Sequence, residues 1–469
     1  MDVSRWGLSL GAIADLGKRL DRFWRYYGQW TRTRTGDTRH YGLLYLKGLL
    51  RMKIDRNMAE IAREASVSEQ NMQHFISNSP WSGSEMIEQV QQAVWEREEL
   101  ADGMLLLDES ADVKYGESSA GTSRQHNGRL GKVEQSQVGV YLSYAKDQVW
   151  TLIDGELFLT EKWFSKRYAG RRDKAEIPSA RRVFQTKIEL GWQMIERAKS
   201  NGLPFVAVAF DSLYGRSFWL REQCDQTGIE YYADIPANQV LYLEYPVLEF
   251  ELNKHGKSGK KFGVVGQEAF KASDLAQLPE TQWETLTLRS NERGLLTGDF
   301  AVYKVWTVSP KGILRQETLL MKHETNKIRY SLTNAPGDTP LLTLAQRKCQ
   351  RYFVERSIQD AKSELGMDEF QAIKYRAWQH HLALTILASW FIAEPRLDWQ
   401  EAHPRDASLL EDYETDVLPA LSMANVREML RATLPLRQLS PLEAANLVVK
   451  HLDNRTRSRR ARLRKHSGP

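Results

Sequence analysis

The chain has 469 residues, with 65 Lys and Arg against 60 Asp and Glu for a net charge of +5; it is too long for one small core and points to two to four structural units. Its two cysteines, Cys224 and Cys349, have no CxxC or His-Cys spacing around them, which excludes a structural zinc module and a disulfide framework and suits a reducing compartment. The most apolar segment, residues 382–393, spans about a dozen residues, too few for a bilayer, and the N-terminus lacks the pattern of a signal peptide, so a soluble cytoplasmic protein with no membrane partner is expected.

Residues 1–100 read as a helical region, in which Leu43, Leu46, Leu49 and Leu50 recur at helical spacing. Within it, residues 58–62 and 66–76 resemble a helix-turn-helix. Ser68 would cap the second helix, and Gln70, Asn71, Gln73 and His74 would face bases or phosphates. Two packed helices joined by a short turn are equally a plain structural pair.

The character changes over residues 101–238. Met104-Leu105-Leu106-Leu107-Asp108 is an apolar run ending in a carboxylate, which predicts a buried central strand delivering an acid at its C-terminal edge. A polar, glycine-rich stretch from Gly116 to Gly131 precedes two further strands, 137–144 and 148–153. Residues 162–174 interleave Lys166, Arg167, Arg171 and Arg172 with Trp163, Phe164 and Tyr168, a mixture that suits a nucleic-acid channel and equally a solvated helix face. Lys187 to Ser200 predicts an amphipathic helix, ended by Asn201-Gly202 and Pro204. Residues 205–211 then repeat the first design, an apolar strand ending in Asp211. A helix near 216–226 and a strand at 231–235 complete the order strand, strand, strand, helix, strand, helix, strand, which is that of a ribonuclease-H-like sheet.

Residues 239–330 interrupt this order. Segments 286–289, 300–308 and 313–321 have strand length, with a turn at Ser309-Pro310-Lys311-Gly312, and read as an inserted antiparallel β unit. The loop 254–261 contains Gly-Lys-Ser but lacks the first glycine of a phosphate-binding loop, which excludes nucleotide hydrolysis; Lys254, Lys257 and Lys260 read instead as DNA contacts. Residues 331–395 return to the core, with helices at 341–365 and 378–393. Residues 396–469 are acidic, then helical, then basic: Arg455, Arg457, Arg459, Arg460, Arg462, Arg464 and Lys465 occur with no acid among them, a run that favours a polyanionic partner over a merely solvated tail.

Asp108, Asp211 and Glu355 are the candidate catalytic and metal-holding residues. On a helix, Arg351, Glu355 and Lys362 fall near one stripe, whereas Asp360 and Glu364 lie about 140° and about 180° around from Glu355. A carboxylate between two cations suits a divalent ion beside phosphates; a surface salt-bridge ladder is the structural alternative. Asp108 and Asp211 could each simply cap a turn. Glu109 and Asp112 compete with Asp108 for the first role, and Glu109 should point away from Asp108 across the strand, which weakens its claim.

Taken together, Leu106 to Ser110, Ser123 to His126, Gly131 to Val140, Lys187 to Leu190, Phe210 to Gly215 and Ala361 to Asp368 resemble the DDE transposases of the insertion-sequence 701 family, over residues from about 40 to about 450. The wider clan of insertion-sequence-4-like transposases carries Tyr-x2-Arg-x3-Glu-x6-Lys around its glutamate, and this chain supplies Arg351, Glu355 and Lys362 with Lys348 at the tyrosine position. The resemblance implies an α/β fold: a ribonuclease-H-like mixed sheet flanked by helices, with an inserted antiparallel β unit and helical N- and C-terminal regions. It implies two Mg²⁺ or Mn²⁺ ions held by Asp108, Asp211 and Glu355, and phosphate contacts from Arg351 and Lys362. A hairpin intermediate, double-stranded DNA as transposon end and target, and a homodimer in a synaptic complex follow by the same analogy. Relatives stack a flipped base on an aromatic of the insertion, for which Trp306 is the candidate, against a plain core role. The competing expectations are a catalytically idle DNA-binding descendant and a metal-dependent nuclease that does not join strands.

Overall fold

The computed structural model describes residues 2–34, 36–251, 261–291, 294–402, 405–415, 418, 421–434 and 440–466. Lys254, Lys257 and Lys260 lie outside the described residues.

The first strand, β1 (Gly103–Val113), buries Met104, Leu105, Leu106 and Leu107 completely or nearly so. An apolar run without alternation is what a strand covered on both faces requires. A short β2 (Ser123–Asn127) leads to β3 (Lys132–Lys146) and β4 (Val149–Phe158). β3 is antiparallel to β1, and β4 to β3. The tight turn between β3 and β4 sets Asp147 at φ 51°, the left-handed geometry that matches strand twist in short hairpins. β5 (Phe205–Phe210) lies parallel to β1, and β6 (Glu230–Ile235) parallel to β5. The central order is therefore β4-β3-β1-β5-β6. The helices Lys187–Ser200 and Phe218–Gln226 make the crossovers before and after β5. This is the mixed, helix-flanked ribonuclease-H-like sheet expected from the sequence.

Two local expectations change. The polar stretch after β1 holds β2, whose Ser-Arg-Gln-His-Asn has no apolar alternation. It forms by pairing with the polar start of β3, Lys132 to Ser136, so partner contacts and not intrinsic propensity make it a strand. The single helix expected over 341–365 is two, Leu341–Gln350 and Tyr352–Ser363, meeting at Arg351. Arg351 keeps helical angles (φ −53°, ψ −28°), so the apolar periodicity runs on through the join and hides it.

The insertion begins with short pairs, β7 (Val240–Leu241) with β10 (Phe270–Lys271) and β8 (Val247–Glu251) with β9 (Lys261–Val265). It continues as an antiparallel run of β11 (Glu284–Asn291), β12 (Gly294–Val308), β13 (Leu314–Glu324) and β14 (Lys327–Thr333). β14 pairs with β6, from Tyr330 opposite Ile235 to Thr333 opposite Tyr232. The inserted strands thus extend the central sheet, which has ten strands among the described residues. Ile235, Leu241, Leu275, Val305, Leu319 and Met321 close a small core of their own over this extension.

The main hydrophobic core runs from Val3 to Leu452 and joins the N-terminal helices, the sheet and the C-terminal helices. At its centre is the helix Tyr375–Ala402, in which every residue from Leu382 to Ala393 is buried, as a helix apolar on all sides should be. The Tyr45 hydroxyl meets His381 Nδ1 at 2.8 Å, tying the helix Arg39–Arg51 to it. No helix among the described residues is long and apolar enough to cross a membrane.

Candidate active site

The pairing of β1 with β5 ends at Leu107 opposite Phe210. The next residue of each strand is an aspartate, so Asp108 and Asp211 emerge side by side at one edge of the sheet. Asp211 is also the N-cap of the short helix Ser212–Gly215, its Oδ1 accepting from the backbone N–H of Leu213 at 2.9 Å and of Tyr214 at 3.4 Å. Capping uses one oxygen and fixes the other's direction. The turn presses hard on β6: a Cβ on Gly215 would stand 1.9 Å from the carbonyl oxygen of Asp234, so only glycine fits there.

The helix Tyr352–Ser363 brings the third acid. Glu355, Ile358, Gln359, Lys362 and Ser363 line a cleft of about 1030 Å³ together with Asp108, Glu109 and Asp211. The other acids of that helix turn away, as the helical arithmetic requires. Asp360 accepts from Trp150 Nε1 at 3.0 Å and pairs with Arg356 at 3.2 Å; Glu364 pairs with Arg427 at 2.5 Å.

Arg351, at the helix join, stands between the carboxylates. Its Nε lies 3.1 Å from Asp234 Oδ2, its Nη1 3.5 Å from Asp108 Oδ2 and its Nη2 3.5 Å from Glu355 Oε1. Burial would lower its pKa, but Asp234, Asp108 and Glu355 outweigh this and raise it. Burial pushes the Asp108 carboxyl up to about 7. Arg351 opposes that shift, while Asp211 and Glu109 reinforce it. Asp211 is raised too, first by burial and then by Glu109. Glu355 is the outermost of the three, with 62% of its side chain exposed. Among the described residues no group of three His, Cys, Asp or Glu side chains is gathered as a metal site. The donor chemistry nonetheless fits one class of ion: hard carboxylate oxygens with uncompensated negative charge suit Mg²⁺ or Mn²⁺, and softer metals are not called for.

Other side chains complete the surroundings of the acids, and Asp234 among them carries no signal in the sequence. Asp234, on β6, receives Lys348 and Arg351 and accepts from the Ser331 hydroxyl at 2.6 Å. Burial raises its pKa, and the two cations more than reverse the effect. Glu109, expected to point away from Asp108, is met by Lys187 Nζ at 2.9 Å. Because β5 has ended, both acids still line the cleft. Lys187 opens one of the segments noted above for their resemblance to a known family, which is the signal that could have singled it out. Lys362 reaches into the cleft wall and pairs with Asp112 of β1, with its side chain 9% exposed.

The remaining candidates lie apart from the acids. Gln70, Asn71, Gln73 and His74 are exposed on the helix Glu69–Ser77, while Met72, Phe75 and Ile76 are buried. Ser68 caps that helix through Asn71 N–H at 3.4 Å. Arg171 pairs with Glu117 and lies 4.7 Å from the Tyr168 ring centre; Arg172 donates to the Trp163 carbonyl at 2.6 Å. These two arginines are held by the protein, whereas Lys166 and Arg167 are exposed. Trp306, on β12, is half-buried, bridges to Tyr242 and meets Tyr245 edge-on at 4.9 Å. It does not line the acid cleft.

Asp108 does not end its strand as the sequence suggested, because pairing with β3 carries β1 on to Val113. A ribonuclease-H-like sheet with one aspartate on β1, another just past the end of its parallel neighbour β5, and a glutamate helix beside them is the architecture of a DDE nuclease. The family described as DDE superfamily endonuclease matches residues 29–295, and the chain belongs to it. That match covers the strands of Asp108 and Asp211 and stops before Glu355. The chain is also similar to the probable transposase for insertion sequence element IS701 of Microchaete diplosiphon, 24% identical over 364 residues, spanning 74% of this chain and 81% of that protein.

Proposed function

We propose that the chain is a DNA transposase that cleaves the ends of an insertion sequence and joins the freed 3′-OH ends to target DNA. The observation that carries this reading is the lining of one cleft by Asp108, Asp211 and Glu355, three acids brought from distant segments to one edge of the sheet. Asp108, Asp211 and Glu355 would hold two Mg²⁺ or Mn²⁺ ions. When bound, such ions lower the pKa of an attacking water and stabilise the leaving 3′-oxygen.

The protein's own part is positioning and charge. Asp211 is fixed by its cap, Asp108 by its strand, and Arg351 by Asp234, so a phosphate entering the cleft meets a guanidinium whose direction is set beforehand. A phosphate can displace Asp108 and Glu355 from Arg351 and leave Asp234 as its anchor, freeing both carboxylates for the ions. Lys362, buried against Asp112, keeps the Glu355 helix against β1. Attack by the freed 3′-OH on the opposite strand would give the hairpin of a cut-and-paste cycle, and a homodimer would pair the two ends.

A purified preparation should nick and join end DNA with Mg²⁺ or Mn²⁺. Asp108→Asn, Asp211→Asn or Glu355→Gln should each lower cleavage by about a thousandfold or more while end binding persists. Full activity in any of the three removes that residue. A second reading, an idle DNA-binding descendant, draws on Arg351 standing between Asp108 and Glu355; metal-dependent cleavage by the wild type excludes it. Cleavage without any joined product would make the protein a nuclease instead.

A further inference from the structure

Beside the acid cleft lies a second cavity of about 630 Å³, which shares Glu355 with it and is also lined by Arg351. Its other walls include Arg289 from β11, Lys322 and Arg329 from β13 and β14, Arg356 and Arg396. Most of these cations have acid partners: Lys322 and Arg329 share Glu324, and Arg356 has Asp360. Arg289 and Arg396 form no ion pair with a carboxylate among the described residues.

Arg396 is 6% exposed. Its Nη2 donates to the Gln148 carbonyl at 2.8 Å and its Nη1 has no partner. Burial pulls its pKa down to about 10, with Asp360 opposing the shift and Arg356 adding to it. Arg289 is lowered by burial as well; its Nη1 donates to the Asp147 carbonyl at 3.5 Å and its Nε has no partner. Besides one backbone carbonyl each, a pair of rings holds the two guanidiniums. Trp150 and Phe353 stack at 4.9 Å between centres with 18° between planes; Arg396 lies 4.6 Å from the Trp150 ring centre and Arg289 4.3 Å from that of Phe353. Aromatic faces orient a guanidinium and offset part of its desolvation without occupying its N–H donors. A buried charge kept for packing alone would be replaced by an apolar side chain at little cost or with a gain. Two guanidiniums oriented by aromatic faces, each with one nitrogen unpartnered, in the wall of a cavity larger than one phosphate suit an anionic ligand.

We propose that this cavity binds the phosphodiester backbone of the DNA strand being cut, next to the cleaved bond, with Arg289 and Arg396 as its two fixed phosphate contacts. The inference rests on the DNA-cleavage reading above. A strand lying in the acid cleft passes Glu355 and continues directly into this cavity.

The test is a scan of neutral methylphosphonate linkages within about five nucleotides of the scissile bond, with binding measured in EDTA for the wild type and for Arg289→Gln/Arg396→Gln. At one or two linkages the wild type should lose about tenfold in affinity, the scale of a charge-assisted hydrogen bond. The double variant should bind the unmodified duplex more weakly and show no further loss at those linkages. Its binding should also be less salt-dependent, the slope of log K against log salt falling by about one to two. A wild type indifferent to every linkage, or a variant with the wild-type profile, overturns the proposal. So does a thermal shift of the wild type with inorganic phosphate when no linkage matters, since the site would then take free anions. Should the double variant melt far below the wild type, Arg289→Gln alone, at the less buried position, carries the same comparison. A wild type that does not bind DNA at all sinks the transposase reading itself, whereas unaltered variant binding sinks only this cavity.

Discussion

Asp108 bears the largest electrostatic cost in the cleft. Its carboxyl binds a proton more tightly in the folded chain, where its pKa is about 7, than at the ordinary value of 3.8. Folding stability therefore falls as pH rises from about 4 to about 7, and the penalty is complete above that. Asp108→Asn should accordingly melt higher than the wild type at pH 8 in EDTA, by about 1 °C for each kcal/mol relieved in a chain of this length, and by much less at pH 4.5. Equal differences at both pH values would place the effect in packing instead. Divalent-ion binding, followed by calorimetry, should release protons and tighten as pH passes 7. The three acids that line the cleft were legible one by one, because each follows an apolar run or sits on a helical stripe with cations, although β1 itself runs on past Asp108 to Val113. Asp234 was not. Nothing in Tyr231-Tyr232-Ala233-Asp234-Ile235 tells that Lys348 and Arg351, over a hundred residues later, come to it, since sequence pattern reports period and not long-range proximity.

At the scale of elements, the site is set by where β1 and β5 stop pairing and by how closely the Asp211 turn lies on β6. Gly215→Ala should test that contact. The new methyl would meet backbone at 1.9 Å, so the turn must move; a loss of about 1–3 kcal/mol is expected, with Mn²⁺ affinity lost alongside stability. Gly116→Ala, which would meet nothing within 4 Å, should change neither melting nor ion binding. The strand and helix order was readable because buried strands and amphipathic helices differ in period. The helix join at Arg351 was not, since a break that preserves helical angles leaves the periodicity intact. β2 was missed for the opposite reason: it has no pattern of its own and exists through its partner.

At the scale of the molecule, the insertion was legible as antiparallel strands, but not as a continuation of the central sheet. That depends on the pairing of β14 with β6, which joins segments about a hundred residues apart. The pairing also predicts that removing residues 240–333, β14 included, will not give a smaller working enzyme. Cutting there would bare the N–H and C=O groups along β6, an open edge that invites pairing between chains. Such a deletion should accumulate as aggregate, measured by light scattering, whereas a soluble monomer would show that the edge can be left uncovered.

The union of β14 with β6 carries a further consequence for ancestry. A segment stitched into the sheet by backbone hydrogen bonds is no detachable accessory, and any lineage that trimmed it would have to invent a new border at the same step. Descendants should therefore vary freely in the outlying hairpins while keeping the seam. The boundary between original enzyme and later acquisition is thus read best from which strand seals the rim, and less from where a chain happens to lengthen.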